Sequence, residues 1–169
     1  MTDVPTATAT RVADDHRPAP PRETWTQLLR GSAACVPVLV LQVALALRVN
    51  GPISTDESLY LVAGHRLLDN MLTGAPVQDY GTWFSGVPGL YPVVGGAIDQ
   101  LGGIALARAF GLVCMLWTTL CVYLITARLF GRTSAVFGSL SFVLTSAISF
   151  LSWYATFDAP SLALLATAT

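Results

Sequence analysis

The chain has 169 residues, of which 53% are hydrophobic and only 11% charged, with a mean hydropathy of +0.60. An ordinary soluble domain carries about 25% charged residues, so this composition argues against a water-soluble globule and favours a membrane protein. The formal net charge of −1 argues against a nucleic-acid-binding protein.

The N-terminal residues 1–29 are rich in Thr, Ala, Pro and Asp. Pro18, Pro20 and Pro21 exclude a regular helix there, because proline lacks the backbone N–H and clashes with the preceding turn. We predict that residues 1–29 form a disordered cytoplasmic tail.

An apolar run bounded by Arg30 and Arg48 follows this tail, and residues 31–48 are predicted to form the first membrane span. The run is at the short end of the range of about 17–25 residues that a spanning helix needs. Ala44-Leu45-Ala46 has the small-x-small form of a signal-peptide cleavage site, which leaves a cleaved signal peptide as the alternative. The long preceding tail and the further apolar runs favour an uncleaved span.

Residues 49–103 are mixed in polarity and are predicted to form an outer loop. Within this loop, residues 58–72 have one apolar side and one polar side, as in a helix lying in the membrane interface. Residues 89–98 are apolar but too short to span, and we expect Asp99 to end that second surface helix. Tyr80, Trp83, Phe84 and Tyr91 suit the headgroup level.

Three more apolar runs complete the chain: residues 104–127 and 133–154 are predicted to be the second and third spans, and 159–169 the start of a fourth. The predicted fold is therefore all-α, a polytopic membrane helical bundle with three full transmembrane helices, a truncated fourth and interfacial helices in the first outer loop. Because the last run is about half a span, we expect the chain to be the front part of a longer protein.

Arginine distribution predicts the orientation of the bundle, since cytoplasmic loops are enriched in basic residues. One topology places six arginines on the cytoplasmic side (Arg11, Arg17, Arg22, Arg30, Arg128 and Arg132) and three outside (Arg48, Arg66 and Arg108). We therefore predict a multi-pass plasma-membrane protein with a cytoplasmic N-terminus and an extracytoplasmic first loop. Asp56, Glu57, Asp79 and Asp158 then share the outer face.

The adjacent pair Asp56-Glu57 stands at the start of the first predicted surface helix. A structural interpretation is available, because Ser54 or Thr55 could cap the helix and acids in its first turn complement its dipole. In a functional interpretation the two side chains have different tasks, since neighbours on a helix cannot point the same way. One would be catalytic and the other would orient a neighbouring group or hold a cation.

Asp158 lies between two apolar runs, where an acid more often faces a cavity or pairs with an arginine than faces lipid. If Asp158 pairs with an arginine, Arg108 at the outer end of the second span could be that partner. His65 has no second His or Cys at a ligand spacing, so no metal site is predicted. Arg66 could bind a lipid phosphate or simply anchor its helix in the interface. Cys35, Cys114 and Cys121 are interpreted as packing residues.

Several short motifs then carry a resemblance, in a characteristic order along the chain: Ser54-Thr55-Asp56-Glu57-Ser58-Leu59-Tyr60, Asp79-Tyr80-Gly81, Pro88-Gly89-Leu90-Tyr91-Pro92, Ala107-Arg108-Ala109-Phe110, Ala127-Arg128-Leu129-Phe130-Gly131-Arg132 and Ala155-Thr156-Phe157-Asp158-Ala159-Pro160. From about Arg30 onward the chain resembles the N-terminal part of the GT-C glycosyltransferases that use a polyprenyl-phosphate sugar. Within that group it is most similar to the protein O-mannosyltransferases and aminoarabinose transferases.

The resemblance implies transfer of a sugar from a polyprenyl-phosphate carrier to a glycan, lipid or protein acceptor on the outer face. It implies that Asp56, with Glu57 beside it, is the catalytic acid pair, and that the reaction inverts the anomeric centre. As substrate-binding residues we predict Asp158, Arg108, Tyr60, Asp79 and Arg66. No cofactor is assigned, and a divalent cation is left open.

Two departures from the family pattern limit what is carried over. Gly86-Val87-Pro88-Gly89 stands where the family often has Pro-Pro or Lys-Pro-Pro, so no substrate contact is transferred to that loop. Family members also have later spans and loops that bind the carrier, so we expect this chain alone to be inactive. The alternative interpretations are a transporter or other non-catalytic multi-span protein whose boundary acids line a substrate path, and a small membrane protein with a structural role.

Overall fold

The computed structural model describes residues 31–49, 51–80, 83–84 and 89–169, and the predicted tail at 1–29 lies outside these ranges. All regular structure in the described ranges is helical, which confirms the all-α prediction. A 3₁₀ turn, Ser32–Cys35, leads into six α-helices: α1 Val36–Arg48, α2 Thr55–Thr73, α3 Leu90–Phe130, α4 Arg132–Val143, α5 Ser146–Trp153 and α6 Asp158–Ala168.

Helix α3 is the longest element and is long and apolar enough to cross a membrane. Within the described residues it is the one such helix, or the first of two if the bent pair α4 and α5 is counted as a single span; Ser32–Arg48 is a shorter apolar helix. A broken backbone at Gly102 (φ −149°, ψ 16°) and Gly103 (φ 68°, ψ −176°) divides α3 into α3a, residues 90–101, and α3b, residues 104–130. Gly103 has a positive φ, which glycine adopts without a Cβ penalty.

This kink falls where the sequence analysis placed the boundary between the outer loop and the second span. The expectation that Asp99 ends the preceding helix was wrong, because α3a continues through Asp99 to the Gly102-Gly103 kink. One acid on a helix surface does not stop the backbone hydrogen-bonding pattern, whereas two consecutive glycines favour leaving it.

Helix α2 begins at Thr55, three residues before the predicted start at residue 58, and its cap is Ser54, one of the two capping residues that the sequence analysis named. Ser54 has an extended backbone, and its Oγ accepts a hydrogen bond from the backbone N–H of Glu57 (3.1 Å). This is a side-chain N-cap. The helix ends at Thr73, and the next residue, Gly74, has a φ of 72°, which suits the left-handed position after a helix C-terminus.

Helices α2 and α3a cross in direct backbone contact at Gly64 and Gly96. A Cβ at Gly96 would lie 2.7 Å from the carbonyl carbon of Gly64, closer than real atoms approach. Beside this crossing, His65 Nε2 lies 2.9 Å from Asp99 Oδ2. The two helices therefore pack as a tight pair, and α2 has a fixed position over α3.

The predicted third span, residues 133–154, is not one continuous helix. It is divided into α4 and α5, which are bent by 70° at residues 144–145. Thr145 has an extended backbone, and its hydroxyl donates to the carbonyl of Ser141 (3.2 Å). Serine and threonine hydroxyls compete for helix carbonyls in this way and favour bends.

A buried polar cluster, which we call the Gln42 cluster, joins α1, α3b and α5. Gln42 Nε2 donates to Ser152 Oγ (3.0 Å), and Thr119 Oγ1 donates to Gln42 Oε1 (2.7 Å). All three residues are at most 1% exposed. The three cysteines are free thiols, in agreement with a packing role.

Candidate functional site

The candidate site forms where the N-terminus of α2, the start of α3b and the α5–α6 connection meet. Glu57 is fully buried there, and its two carboxylate oxygens accept hydrogen bonds from Arg108: Nε to Oε1 at 2.9 Å and NH2 to Oε2 at 2.8 Å. This bidentate geometry is the strongest arrangement available to an arginine and a carboxylate.

Two further contacts extend the Glu57–Arg108 pair to the α5–α6 connection. Oε1 of Glu57 also accepts the backbone N–H of Ala155 at 2.9 Å, which joins residues 98 positions apart. The guanidinium of Arg108 lies over the rings of Trp153 and Tyr154, 5.0 and 5.4 Å from their centroids. Such cation–π contacts stabilise a desolvated arginine. We call this assembly the Glu57 clamp.

The clamp also sets the charge state of Glu57. Burial by itself would raise the pKa of this carboxyl, because desolvation disfavours the charged form. The hydrogen bonds from Arg108 and Ala155, the positive charge of Arg108 and the N-cap region together outweigh burial, and the pKa of Glu57 lies below its ordinary value. Glu57 is therefore an ionised carboxylate whose oxygens are already occupied, which does not suit a general base.

Asp56 has the opposite environment from its neighbour. Its side chain is exposed, and it is four positions before Tyr60, so both lie on the same face of α2. Burial raises the pKa of the Tyr60 phenol, and the negative charges of Asp158 and Asp56 raise it further. Asp56 from α2 and Asp158 from α6 therefore both favour the protonated form of the same phenol.

Aromatic rings hold Tyr60 in place. Its ring is stacked on Phe84, with centroids 4.7 Å apart, and meets the edges of Tyr91 (5.6 Å) and Phe157 (5.5 Å). Such pairs stabilise beyond the area that they bury. Because Phe157 immediately precedes Asp158, this packing also fixes the start of α6.

The predicted pairing of Arg108 with Asp158 was wrong. The Nε and NH2 groups of Arg108 both donate to the carboxylate of Glu57 instead. Glu57 competes better for this arginine because it is buried beside it, whereas Asp158 remains half-exposed. Long-range partners of this kind are set by helix packing, and the sequence analysis named only Asp158, not Glu57, as a partner of Arg108.

Five of the seven predicted site residues come together in this region: Asp56, Glu57, Tyr60, Arg108 and Asp158. Arg66 is exposed and lies six positions after Tyr60, roughly a third of a turn around α2 from it. Asp79 is exposed in the segment after α2, and the neighbouring Tyr80 packs against Trp83 and Phe84. The described contacts do not place Arg66 or Asp79 at the Glu57 clamp.

Sequence reasoning missed an apolar cavity of about 520 Å³, which we call the α3–α6 groove. Twelve residues line it: Leu90, Tyr91, Val94, Phe110, Cys114, Trp117, Phe157, Pro160, Ser161, Ala163, Leu164 and Thr167. The spacing of Phe110, Cys114 and Trp117 marks one helix face and could have indicated a shared surface. Which helix covered that face could not be known.

Two buried polar atoms near the clamp also escaped the sequence analysis. Thr156 Oγ1 and Trp153 Nε1 have no hydrogen-bond partner among the described residues. A buried donor left unpaired costs about 1–3 kcal/mol. Within the same ranges, no group of three His, Cys, Asp or Glu residues is arranged to hold a metal ion.

Searches against models of protein families, against curated proteins and against solved structures found no match to this chain.

Proposed function

We propose that this protein is a membrane glycosyltransferase that moves a sugar from a polyprenyl-phosphate carrier to an acceptor on the outer face of the membrane. The observation that carries this proposal is the contrast within the adjacent acid pair. Glu57 is buried and fully occupied by Arg108 and Ala155, whereas Asp56 is exposed beside Tyr60. One acid is thus available for chemistry while the other holds it in position.

In the proposed reaction, an acceptor hydroxyl attacks the anomeric carbon of the sugar. A new carbon–oxygen bond forms as the bond from that carbon to the phosphate oxygen breaks, and the electron pair leaves with the polyprenyl phosphate. Asp56 takes the proton of the attacking hydroxyl, which is general base catalysis. Attack opposite the leaving phosphate inverts the anomeric centre. The leaving group is already an anion of low basicity, so no strong acid is required.

Glu57 and Arg108 act in this mechanism as positioning residues. The clamp ties the first turn of α2 to the Ala155 backbone, and Asp158 begins the helix just beyond. In the proposed site, Asp56 and Asp158 flank one hydroxyl-binding region next to Tyr60, whose pKa both of them raise. We retain Asp158 and Tyr60 as substrate-binding residues on this ground, and Arg108 acts through Glu57.

The proposed membrane arrangement has several spans. Helices α1, α3b and α6 and the bent pair α4–α5 would cross or enter the bilayer, with α2 and α3a in the outer interface. Large apolar side chains on α1, α3b, α4 and α6 face outward, as lipid contact requires: Val40, Val113, Phe137 and Leu165 are all more than 60% exposed. The arginine distribution favours a cytoplasmic N-terminus in the plasma membrane.

The test is a sugar-transfer assay in membranes from cells that express the protein as its gene encodes it. Asp56→Asn should lower the rate about 10²–10⁴-fold, the usual contribution of a positioned general base. Asp69→Asn is the matched control, because Asp69 is an exposed acid near the other end of the same helix. Near-normal transfer by Asp56→Asn, at an equal amount of inserted protein, would remove Asp56 from the mechanism.

One observation favours a second candidate function, a transporter. Broken helices are frequent at transporter binding sites, where half-helix termini face the substrate, and the α4–α5 pair is bent by 70°. The bend has no charged residue at positions 141–149, which would make it a site for an uncharged substrate. Substrate uptake by proteoliposomes in the absence of any glycosylated product would support this alternative.

A further inference from the structure

The end of the molecule where α3 meets α4 carries basic residues without acidic ones. Arg128 is in the last turn of α3, Arg132 is the first residue of α4, and both side chains are exposed. We call residues 128–132 the basic turn. The elements that pack at this end lie within residues 31–48 and 104–143, and these two stretches contain no Asp or Glu. The charge at this end is therefore positive and is not balanced by the described residues around it.

The two arginines of the basic turn are unoccupied, in contrast to Arg108. Arg108 donates two hydrogen bonds to Glu57. Among the described residues, Arg128 and Arg132 have neither a carboxylate partner nor a hydrogen-bond acceptor. A guanidinium carries five N–H donors and binds a phosphate through two parallel hydrogen bonds. Both side chains are thus available to an anion from outside the chain.

The guanidinium of Arg132 is held in one place without being neutralised. A Cβ on Gly31 would lie 3.1 Å from Nε and 3.2 Å from NH2 of Arg132, so the guanidinium rests against the bare backbone of Gly31. The carbonyl of Gly31 accepts a hydrogen bond from the Tyr123 hydroxyl at 2.8 Å, which fixes that backbone. Tyr123 itself belongs to a buried cluster with Cys35 and Ala135. Such pre-positioning lowers the ordering cost of binding.

Helix α4 adds positive rather than negative potential at the same place. Its N-cap, Gly131, provides no side-chain hydrogen bond, and its first turn contains no acid. Because the N-terminus of a helix carries a partial positive charge, Arg132 at the first helical position meets charge of its own sign. A bound anion would offset both charges, and among the described residues no carboxylate does so.

The residues between the two arginines favour a lipid over a soluble anion. Leu129 and Phe130 are 68% and 72% exposed. An inorganic phosphate would contact only the arginines and leave these apolar side chains in water, whereas a phospholipid also covers them with its acyl chains. In the proposed membrane arrangement the basic turn lies at the cytoplasmic headgroup level, where anionic lipids attract basic residues.

We propose that the basic turn binds an anionic phospholipid, with Arg128 and Arg132 on its phosphate and with Leu129 and Phe130 against its acyl chains. The inference rests on the membrane arrangement of the proposed function, but not on sugar transfer. Arg128 is roughly 30 Å along α3b from Arg108. The lipid site is therefore separate from the Glu57 clamp.

The experiment is native mass spectrometry of the full chain in neutral detergent micelles. The chain is titrated with phosphatidylglycerol and with phosphatidylcholine that carry the same acyl chains. Because one arginine at a lipid surface contributes about fivefold in affinity, phosphatidylglycerol should bind about 25-fold more tightly. Arg128→Gln and Arg132→Gln should each weaken its binding about fivefold, and the double variant should bind both lipids equally.

Arg48→Gln is the matched control. Arg48 is also an exposed arginine in the last turn of a helix, but it lies at the far end of α1, about 20 Å along that helix from its first residue. Its replacement removes the same charge and should change the affinity for phosphatidylglycerol less than twofold. Far-UV circular dichroism of all variants should be the same, which shows that each is folded.

Three results would overturn the proposal. Equal binding of the two lipids by the unaltered chain would favour an acidic protein as the partner of the basic turn. An effect of Arg48→Gln as large as that of Arg132→Gln would mean that only the total charge matters. Displacement of phosphatidylglycerol by an equal concentration of inorganic phosphate would identify a site for a soluble anion. None of these readouts uses sugar transfer, so their failure leaves the role of Asp56 untouched, and normal transfer by Asp56→Asn leaves the lipid site untouched.

Discussion

Two buried polar centres hold this helical chain together, and they differ in what surrounds them. The Gln42 cluster joins α1, α3b and α5 through neutral groups, and it is enclosed on all sides by packed helices. The Glu57 clamp joins α2, α3b and the α5–α6 connection through a charged pair, and exposed or half-exposed acids lie directly beside it.

This difference separates a structural centre from a candidate functional one. The hydroxyl of Ser152 also donates to the helix carbonyl of Ile148, and the single proton of Thr119 Oγ1 has the Met115 carbonyl as a second acceptor beside Gln42 Oε1. The Gln42 cluster therefore satisfies itself and presents nothing to a ligand. The Glu57 clamp also satisfies itself, but it fixes the position of Asp56 and of the helix that begins with Asp158. Polar groups at the edge of an apolar bundle, next to a cavity, are the ones to associate with chemistry.

The largest effect is expected from Arg108→Met. The change leaves Glu57 fully buried without its counter-charge, and breaking a buried pair in this way costs about 3–5 kcal/mol. Unfolding in mixed micelles, followed by circular dichroism as SDS is added, would measure the loss.

The double variant Glu57→Gln with Arg108→Met tests the reason for that loss. It removes both charges, and the glutamine oxygen can still accept the Ala155 N–H, so much of the stability should return. If the single and the double variant were equally destabilised, the charge of Glu57 would not be the cause, and the contrast with the Gln42 cluster would lose its basis.

The next largest effect is expected in the way that the stability lost in Glu57→Gln depends on pH. The pKa of Glu57 in the folded state lies below its unfolded value of about 4.3, so the clamp contributes its full stability above that pH. The contribution is lost as the pH falls through the lowered folded value. The stability difference between unaltered protein and Glu57→Gln should therefore be largest near neutral pH and shrink on acidification. A difference that grew on acidification would contradict the assigned direction.

A smaller effect is expected at the neutral centre. Gln42→Leu removes two side-chain hydrogen bonds, but Thr119 and Ser152 keep their helix-carbonyl partners. Hydrogen bonds between membrane helices contribute about 0.6 kcal/mol on average and at most about 1.7 kcal/mol. The same micelle unfolding assay should show a loss in this range, with sugar transfer per folded molecule unchanged. A loss of transfer at full folding would mean that the Gln42 cluster is more than structural.

How much the sequence could predict differs between the two centres. The acid pair at Asp56 and its helix were predictable, because Ser54 is a local capping signal three residues before Glu57. The kink at Gly102-Gly103 was also recoverable from local residue types. Neither the Glu57–Arg108 pair nor the Gln42 cluster was predicted, since each depends on which helices become neighbours.

The α4–α5 bend shows another limit of predicting the fold from the sequence. Residues 133–154 contain no charge and no proline, so hydropathy alone predicts one uninterrupted span. The break at Thr145 arises from hydroxyl groups that count as only weakly polar in such an analysis, although they compete directly for backbone carbonyls. Serine and threonine within apolar runs are therefore poor signals of span number but useful signals of bends.

The smallest effect on stability is expected from Asp158→Asn. This variant also tests which of the two aspartates beside the Glu57 clamp is the base. Asp158 is half-exposed in the first turn of α6, where its charge complements the helix dipole, and losing that charge costs about 0.3–1 kcal/mol. If Asp158 binds the acceptor and Asp56 takes the proton, Asp158→Asn should raise KM for the acceptor with a much smaller change in kcat, whereas Asp56→Asn should lower kcat. A collapse of kcat in Asp158→Asn with KM unchanged would exchange the two roles and make the α6 acid the base. The division of labour between the two aspartates therefore depends on this kinetic difference, because neither variant is expected to disturb the clamp that holds them.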